Sequence, residues 1–126
     1  MTLGNRVGWC GIVLFIAVGA GAFGSHGLRG LVSPELIEVW KTAVLYQLIH
    51  GLALLLIAIL LELRSAQLLA KAWLTMLLGV GLFSGSLYLI VLTGNRWLGP
   101  VTPIGGLILL LSWLMVAWGG FREKSY

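Results

Sequence analysis

The sequence predicts an all-α integral membrane protein, a four-helix bundle with antiparallel neighbours and both termini on the cytoplasmic side. Three observations predict it. The chain is 60% hydrophobic and 10% charged, with a mean hydropathy of +1.04. It holds four apolar runs, each near the roughly 20 residues a membrane-crossing helix needs. Short linkers join them, which sets sequential helices side by side and antiparallel. A soluble chain carries about a quarter charged residues. A soluble fold of 126 residues leaves too much surface exposed to hide this many apolar side chains. Lipid is therefore the expected solvent. The net charge of +4 is spread between apolar runs and makes no nucleic-acid footprint. Cys10 is the only cysteine, so no intramolecular disulfide can form.

The first run covers about 7–25. Its Arg6, apolar middle and Ala20-x-Ala22 also fit a signal peptide, but a retained helix is the expectation. The second run, about 42–61, continues a helix that starts earlier, at "SPEL" (33–36). There Ser33 is the expected cap, Pro34 the first helical residue, and Glu35 complements the helix dipole. The third run is about 72–92 and the fourth about 102–120, with Thr102 expected to cap and Pro103 to follow. Together they make one domain, 1–126. Lys and Arg in short loops set orientation. Arg6, Arg64, Lys71, Arg122 and Lys124 share one side, against Arg29, Lys41 and Arg96 on the other, so both termini are expected in the cytoplasm.

At 100° per residue, Ala43, Tyr46, Gln47, His50 and Gly51 fall on one face of helix 2. Comparable stripes are Gly8, Gly11, Phe15, Gly19, Ala22 and His26 on helix 1, and Gly81, Ser84, Gly85 and Tyr88 on helix 3. Helix 4 offers Thr102, Gly105, Gly106, Trp113, Ala117 and Gly120. Polar groups facing hydrocarbon are costly, so the stripes are expected to turn inward. This gives a candidate polar seam, nearer the outer leaflet, of His26, Tyr46, Gln47, His50, Ser84, Ser86, Tyr88 and Thr102. Gly19, Gly81, Gly85, Gly105 and Gly106 are the expected packing glycines, since small residues let helix backbones approach.

His50 is the strongest candidate for chemistry, because ionisable residues inside a membrane are expensive to keep there. The alternative is a neutral histidine bonded to Ser or Tyr across the bundle. Ser84 or Ser86 with His50 lacks the orienting acid of a nucleophile–base pair. His26 and His50 lie at different depths and lack a carboxylate or thiolate cluster, so neither a haem nor a metal site is expected. No cofactor is expected, and no catalytic residue. The outer helix starts at Ser33 and Thr102, with Arg29, Lys41 and Arg96, would suit a lipid phosphate. Ordinary capping explains them as well.

Four motifs, "GAFGSHGL" (21–28), "YQLIH" (46–50), "FSGSLY" (83–88) and "TPIGG" (102–106), with Trp113, occur in order along the chain. Together they resemble the YgdD/YwdK-like small membrane proteins, a domain of unknown function. Ser25 stands where that family's first motif is expected to carry Ala. The resemblance implies a four-span protein of the bacterial inner (plasma) membrane and brings no catalytic residue with it. The expected function is non-enzymatic, a structural or accessory subunit. The alternative is a carrier or binder of a small or lipidic molecule through the polar seam. Expected partners are membrane lipids and a homo-oligomer or larger membrane complex, and no nucleic acid.

Overall fold

The computed structural model describes residues 1–122, which form helices joined by short turns and irregular links, with no strand among them. Lys124 of the charge count lies outside the described residues. Helix α1 is Leu3–His26, α2 Pro34–Leu63, α3 Gln67–Thr93 and α4 Val101–Phe121, and a 3₁₀ turn at Arg96–Leu98 precedes α4. Each of the four is long and apolar enough to cross a membrane.

Capping chemistry, not hydropathy, sets the starts of α1 and α2 and the end of α3. Thr2 accepts the Asn5 amide at 3.2 Å and starts α1 four residues before the apolar run. Ser33 accepts the Leu36 amide at 3.3 Å, with Pro34 in the first turn, as its sequence signature predicts. Gly94 ends α3 at φ +67°, a left-handed conformation that strains any side chain. The expected start of α4 is corrected. The helix begins at Val101 behind Pro100, with no side-chain cap, and Thr102 lies inside its first turn. The Thr102 hydroxyl is engaged across the bundle instead, 2.6 Å from that of Ser86.

Each helix packs on its sequence neighbour, α1 on α2, α2 on α3 and α3 on α4. Helices α1 and α4 do not form a packed pair, so the bundle stays open along two notches. One lies between α1 and α3, the other between α2 and α4. An apolar cluster around Leu54, Ile57, Trp73 and Met76 fills the end near the α2–α3 turn. A smaller one, Leu28, Trp40 and Val91, closes the opposite end. The polar groups lie between them.

Helix α1 presents the face opposite to the expected one. Its buried residues are Cys10, Ala17 and Gly24, seven apart, or about two turns. Gly8, Gly11, Gly19, Ala22 and His26 are exposed, and Phe15 is 81% exposed. The inward stripe is selected by what α2 offers. Leu14 fills the space over Gly51, and the Trp40 indole occupies the space over Gly24. Likewise α4 buries Gly105, Leu109 and Ser112, while Ala117 and Gly120 face outward. Of the expected packing glycines, Gly19, Gly81 and Gly85 would meet nothing within 4 Å of an added Cβ. Gly106 would only touch the Phe83 ring, at 3.7 Å, whereas a Cβ at Gly105 would stand 2.5 Å from the Phe83 amide nitrogen. The close approaches are therefore at Gly24, Gly51, Gly79 and Gly105.

Candidate functional site

Helix α2 carries the site. Gln47 lies near its middle, with Ala43, His50 and Gly51 buried on the same face. The Gln47 amide donates from Nε2 to the Val13 carbonyl of α1 at 2.9 Å. Its Oε1 accepts the Tyr88 hydroxyl of α3 at 2.6 Å. One side chain thus ties three helices together. Four residues earlier on α3, Ser84 donates to the Ala43 carbonyl at 2.8 Å. Ser86, on another face of α3, donates to its own Phe83 carbonyl at 2.9 Å. That uses the only hydroxyl hydrogen of Ser86, so Thr102 of α4 is the donor in their 2.6 Å contact.

His50 is fixed at both nitrogens. Nδ1 lies 2.7 Å from the Tyr46 carbonyl and Nε2 accepts the Trp113 indole N–H at 3.1 Å. A carbonyl only accepts and an indole N–H only donates, so the ring is the neutral tautomer with its hydrogen on Nδ1. His50 is bonded across the bundle, as the alternative to chemistry expected, but its partner there is the Trp113 indole and not a Ser or Tyr hydroxyl. No hydroxyl or thiol donates to it among the described residues. Among the described residues, three His, Cys, Asp or Glu side chains nowhere gather as a metal would need.

The structure thus brings together Gln47, Ser84 and Tyr88 in one group, and His50 with Trp113 in another. Ser86 and Thr102 form a third pair. Two expected seam members fall outside. His26 is exposed in the last turn of α1, where a helix C-terminus favours a basic group. Tyr46 is 39% exposed, its ring against Phe83 at 4.5 Å and stacked beside His50 at 5.8 Å. It turns toward the α2/α4 notch rather than inward.

Sequence reasoning missed two tryptophans that do the same work. Trp40 is 5% exposed and donates to the Ala20 carbonyl of α1 at 2.7 Å. Trp73 donates to the Leu54 carbonyl of α2 at 3.0 Å. The signal was available in principle. An indole N–H inside hydrocarbon must find an acceptor, so a tryptophan within a span announces a bond. The partner carbonyls carry no sequence signal. Each has a second lone pair beyond its helical bond and can take another donor without breaking the helix. Among the described residues seven side-chain bonds cross between helices, and at about 0.6 kcal/mol each they contribute roughly 4 kcal/mol.

Comparison with known proteins decides the family. Residues 20–106 match the model of a family described as "Protein of unknown function (DUF423)". The chain is a DUF423 protein. It is 46% identical over 107 residues to a UPF0382 membrane protein of Staphylococcus haemolyticus, covering 85% of this chain and 87% of that one. It is 44% identical over 107 residues to a UPF0382 membrane protein of Staphylococcus aureus (strain bovine RF122 / ET3-1), with the same coverage of 85% and 87%. The UPF0382 membrane protein YwdK of Bacillus subtilis is 42% identical over 103 residues, 80% of this chain and 83% of that one. No solved structure matches. The resemblance carried by the four motifs is therefore correct, and this DUF423 protein is a multi-pass protein of the bacterial plasma membrane. The match begins at Ala20 and ends at Gly106, so it spans the seam from the Trp40–Ala20 bond to the first turns of α4.

Proposed function

We propose that this DUF423 protein is a non-enzymatic scaffold or accessory subunit of the plasma membrane, with both termini in the cytoplasm. One observation carries the reading. Every buried side-chain nitrogen and oxygen among the described residues has a partner inside the fold. The groups that could have served catalysis are already committed. His50 spends both ring nitrogens on structure, and Ser84 and Ser86 give their hydrogens to main-chain carbonyls. A general base or nucleophile needs a free lone pair or an activated hydroxyl in reach of substrate. The cytoplasmic placement of the termini is supported by the excess of Lys and Arg at that end. Assembly with itself or a larger complex is supported by the outward Gly8, Gly11 and Gly19 of α1, which leave room for another helix.

The test is reconstitution. His50→Ala and Gln47→Ala should lower unfolding stability in detergent and change nothing else. Blue-native electrophoresis of mildly solubilised membranes should place the wild type above the mass of one copy. Solute movement or turnover in proteoliposomes that vanishes in His50→Ala, with helix content intact, would overturn the reading.

A further inference from the structure

We infer that the notch between α2 and α4 is a binding site for a glycerolipid, with the Tyr46 hydroxyl donating to an acyl-ester carbonyl and the chain lying along α4. The notch has a volume of about 580 Å³, and Tyr46, Phe83, Gly106, Leu110 and Trp113 line it. Its surface is almost wholly apolar, and neither α1 nor any other helix of the fold covers it.

Tyr46 marks the occupant. The seam around it is fully bonded, yet the Tyr46 hydroxyl makes no hydrogen bond to any described residue. A phenol hydrogen in hydrocarbon without an acceptor is unfavourable, so an acceptor brought beside Tyr46 would be held there. The neighbouring polar groups cannot supply one, because His50 Nε2 already accepts from Trp113.

Depth selects the acceptor. The 30 residues of α2 span about 45 Å, against a hydrocarbon core of about 30 Å. With the helix centred, Tyr46, twelve residues after Pro34, has its Cα about 10 Å beneath the outer boundary. A helical Cα–Cβ bond tilts toward the N-terminus, which raises the hydroxyl toward that boundary. The ester carbonyls at that boundary are the bilayer-lipid acceptors nearest to the hydroxyl. Below it, the bare Gly106 and the side chains of Leu110 and Trp113 offer a chain an apolar bed. This inference does not rest on the scaffold reading, since a scaffold can hold a lipid or lack one.

The test exchanges the carbonyl. The full chain is incorporated into nanodiscs with equal amounts of ester-linked and ether-linked phosphatidylglycerol of one chain length. It is then extracted into detergent, washed, and its retained lipid measured by mass spectrometry. One neutral hydrogen bond is worth about a fivefold preference, so the wild type should retain ester over ether lipid by about that factor. Tyr46→Phe keeps the ring on Phe83 and should retain the two equally. Gly106→Leu fills the notch and should lower retention of both. Equal retention of ester and ether lipid by the wild type overturns the inference. So does an unchanged preference in Tyr46→Phe, or a Tyr46→Cys variant that crosslinks to a second copy.

Discussion

Alanine at Gly105 tests the packing most severely. A Cβ there would stand 2.5 Å from the Phe83 amide nitrogen and 2.8 Å from its Cα. Both are main-chain atoms of α3, so no side chain can rotate out of the way. Ordinary contact begins near 3.4 Å, so α4 must withdraw by about 0.9 Å, the difference between the two distances. A gap of that size forfeits roughly a quarter to a half of the dispersion energy of each contact it opens. It also stretches the Ser86–Thr102 bond from 2.6 Å to about 3.5 Å, beyond useful length. Overpacking of this kind costs about 1–3 kcal/mol, and the lost bond adds about 0.6 kcal/mol. We expect Gly105→Ala to lose roughly 2–3 kcal/mol. Gly81→Ala and Gly85→Ala meet nothing within 4 Å and should stay within about 0.5 kcal/mol of the wild type. Equilibrium unfolding in detergent, followed by circular dichroism, measures all three. Wild-type stability in Gly105→Ala, or an equal loss in Gly81→Ala, would refute the close-approach argument.

Three further outcomes are expected. Gln47→Leu should cost about 2 kcal/mol, because it strands the Tyr88 hydroxyl as well as losing the Val13 bond. Adding Tyr88→Phe removes the stranded group, so the double variant should be less destabilised than the two single losses summed, and additivity would count against the bond. Nitrogen-15 NMR of labelled histidine should show His50 carrying its hydrogen on Nδ1, and Trp113→Phe should shift the Nε2 resonance as its donor leaves. In intact cells an impermeant thiol reagent should label Leu31→Cys and spare Ser65→Cys, the reverse pattern placing the termini outside.

The fold was legible because hydropathy in a membrane protein is a direct reading of the solvent. Four runs gave four helices, and "SPEL" marked the start of α2 through the same Ser33–Leu36 bond the structure contains. The site was half legible. Gln47, His50, Ser84 and Tyr88 could be placed inside because a polar side chain has no acceptable position in hydrocarbon. Glycine carries no such constraint. It is apolar enough to face lipid and small enough to face a helix, so Gly19, Gly81 and Gly85 could not be told from Gly24, Gly51 and Gly105 by composition. The partner decides: Gly24 is inside because Trp40 needs the space, and no rule of spacing on α1 alone encodes that. Tyr46 misled for a related reason. It shares a face with Gln47 and His50 within half a turn, but the open α2/α4 notch makes that edge of the face an outer surface.

The distribution of the interhelical bonds explains how so small a chain holds a defined arrangement in lipid. Leucine against leucine is worth little more than leucine against an acyl chain, so apolar contact alone leaves rotation and depth of each helix loosely set. A side chain bonded to one particular carbonyl sets both. Six of the seven interhelical bonds begin or end on α2, at Trp40, Ala43, Gln47, His50 and Leu54. Helix α2 is therefore the reference against which the others are positioned. Helix α1 is held to it at two carbonyls seven residues apart, Val13 and Ala20, which fixes its depth and its rotation together. Among the described residues, α4 is bonded to α2 through Trp113 and to α3 through Thr102, and it packs on α3 at Gly105 and over Gly79. Its two bonds lie apart from those that join α1, α2 and α3 to one another. Loss of Trp113 or Gly105 should loosen α4 while leaving the α1–α2–α3 bonds intact, and the notch that α4 forms with α2 is the part of the molecule able to adjust its width to an occupant.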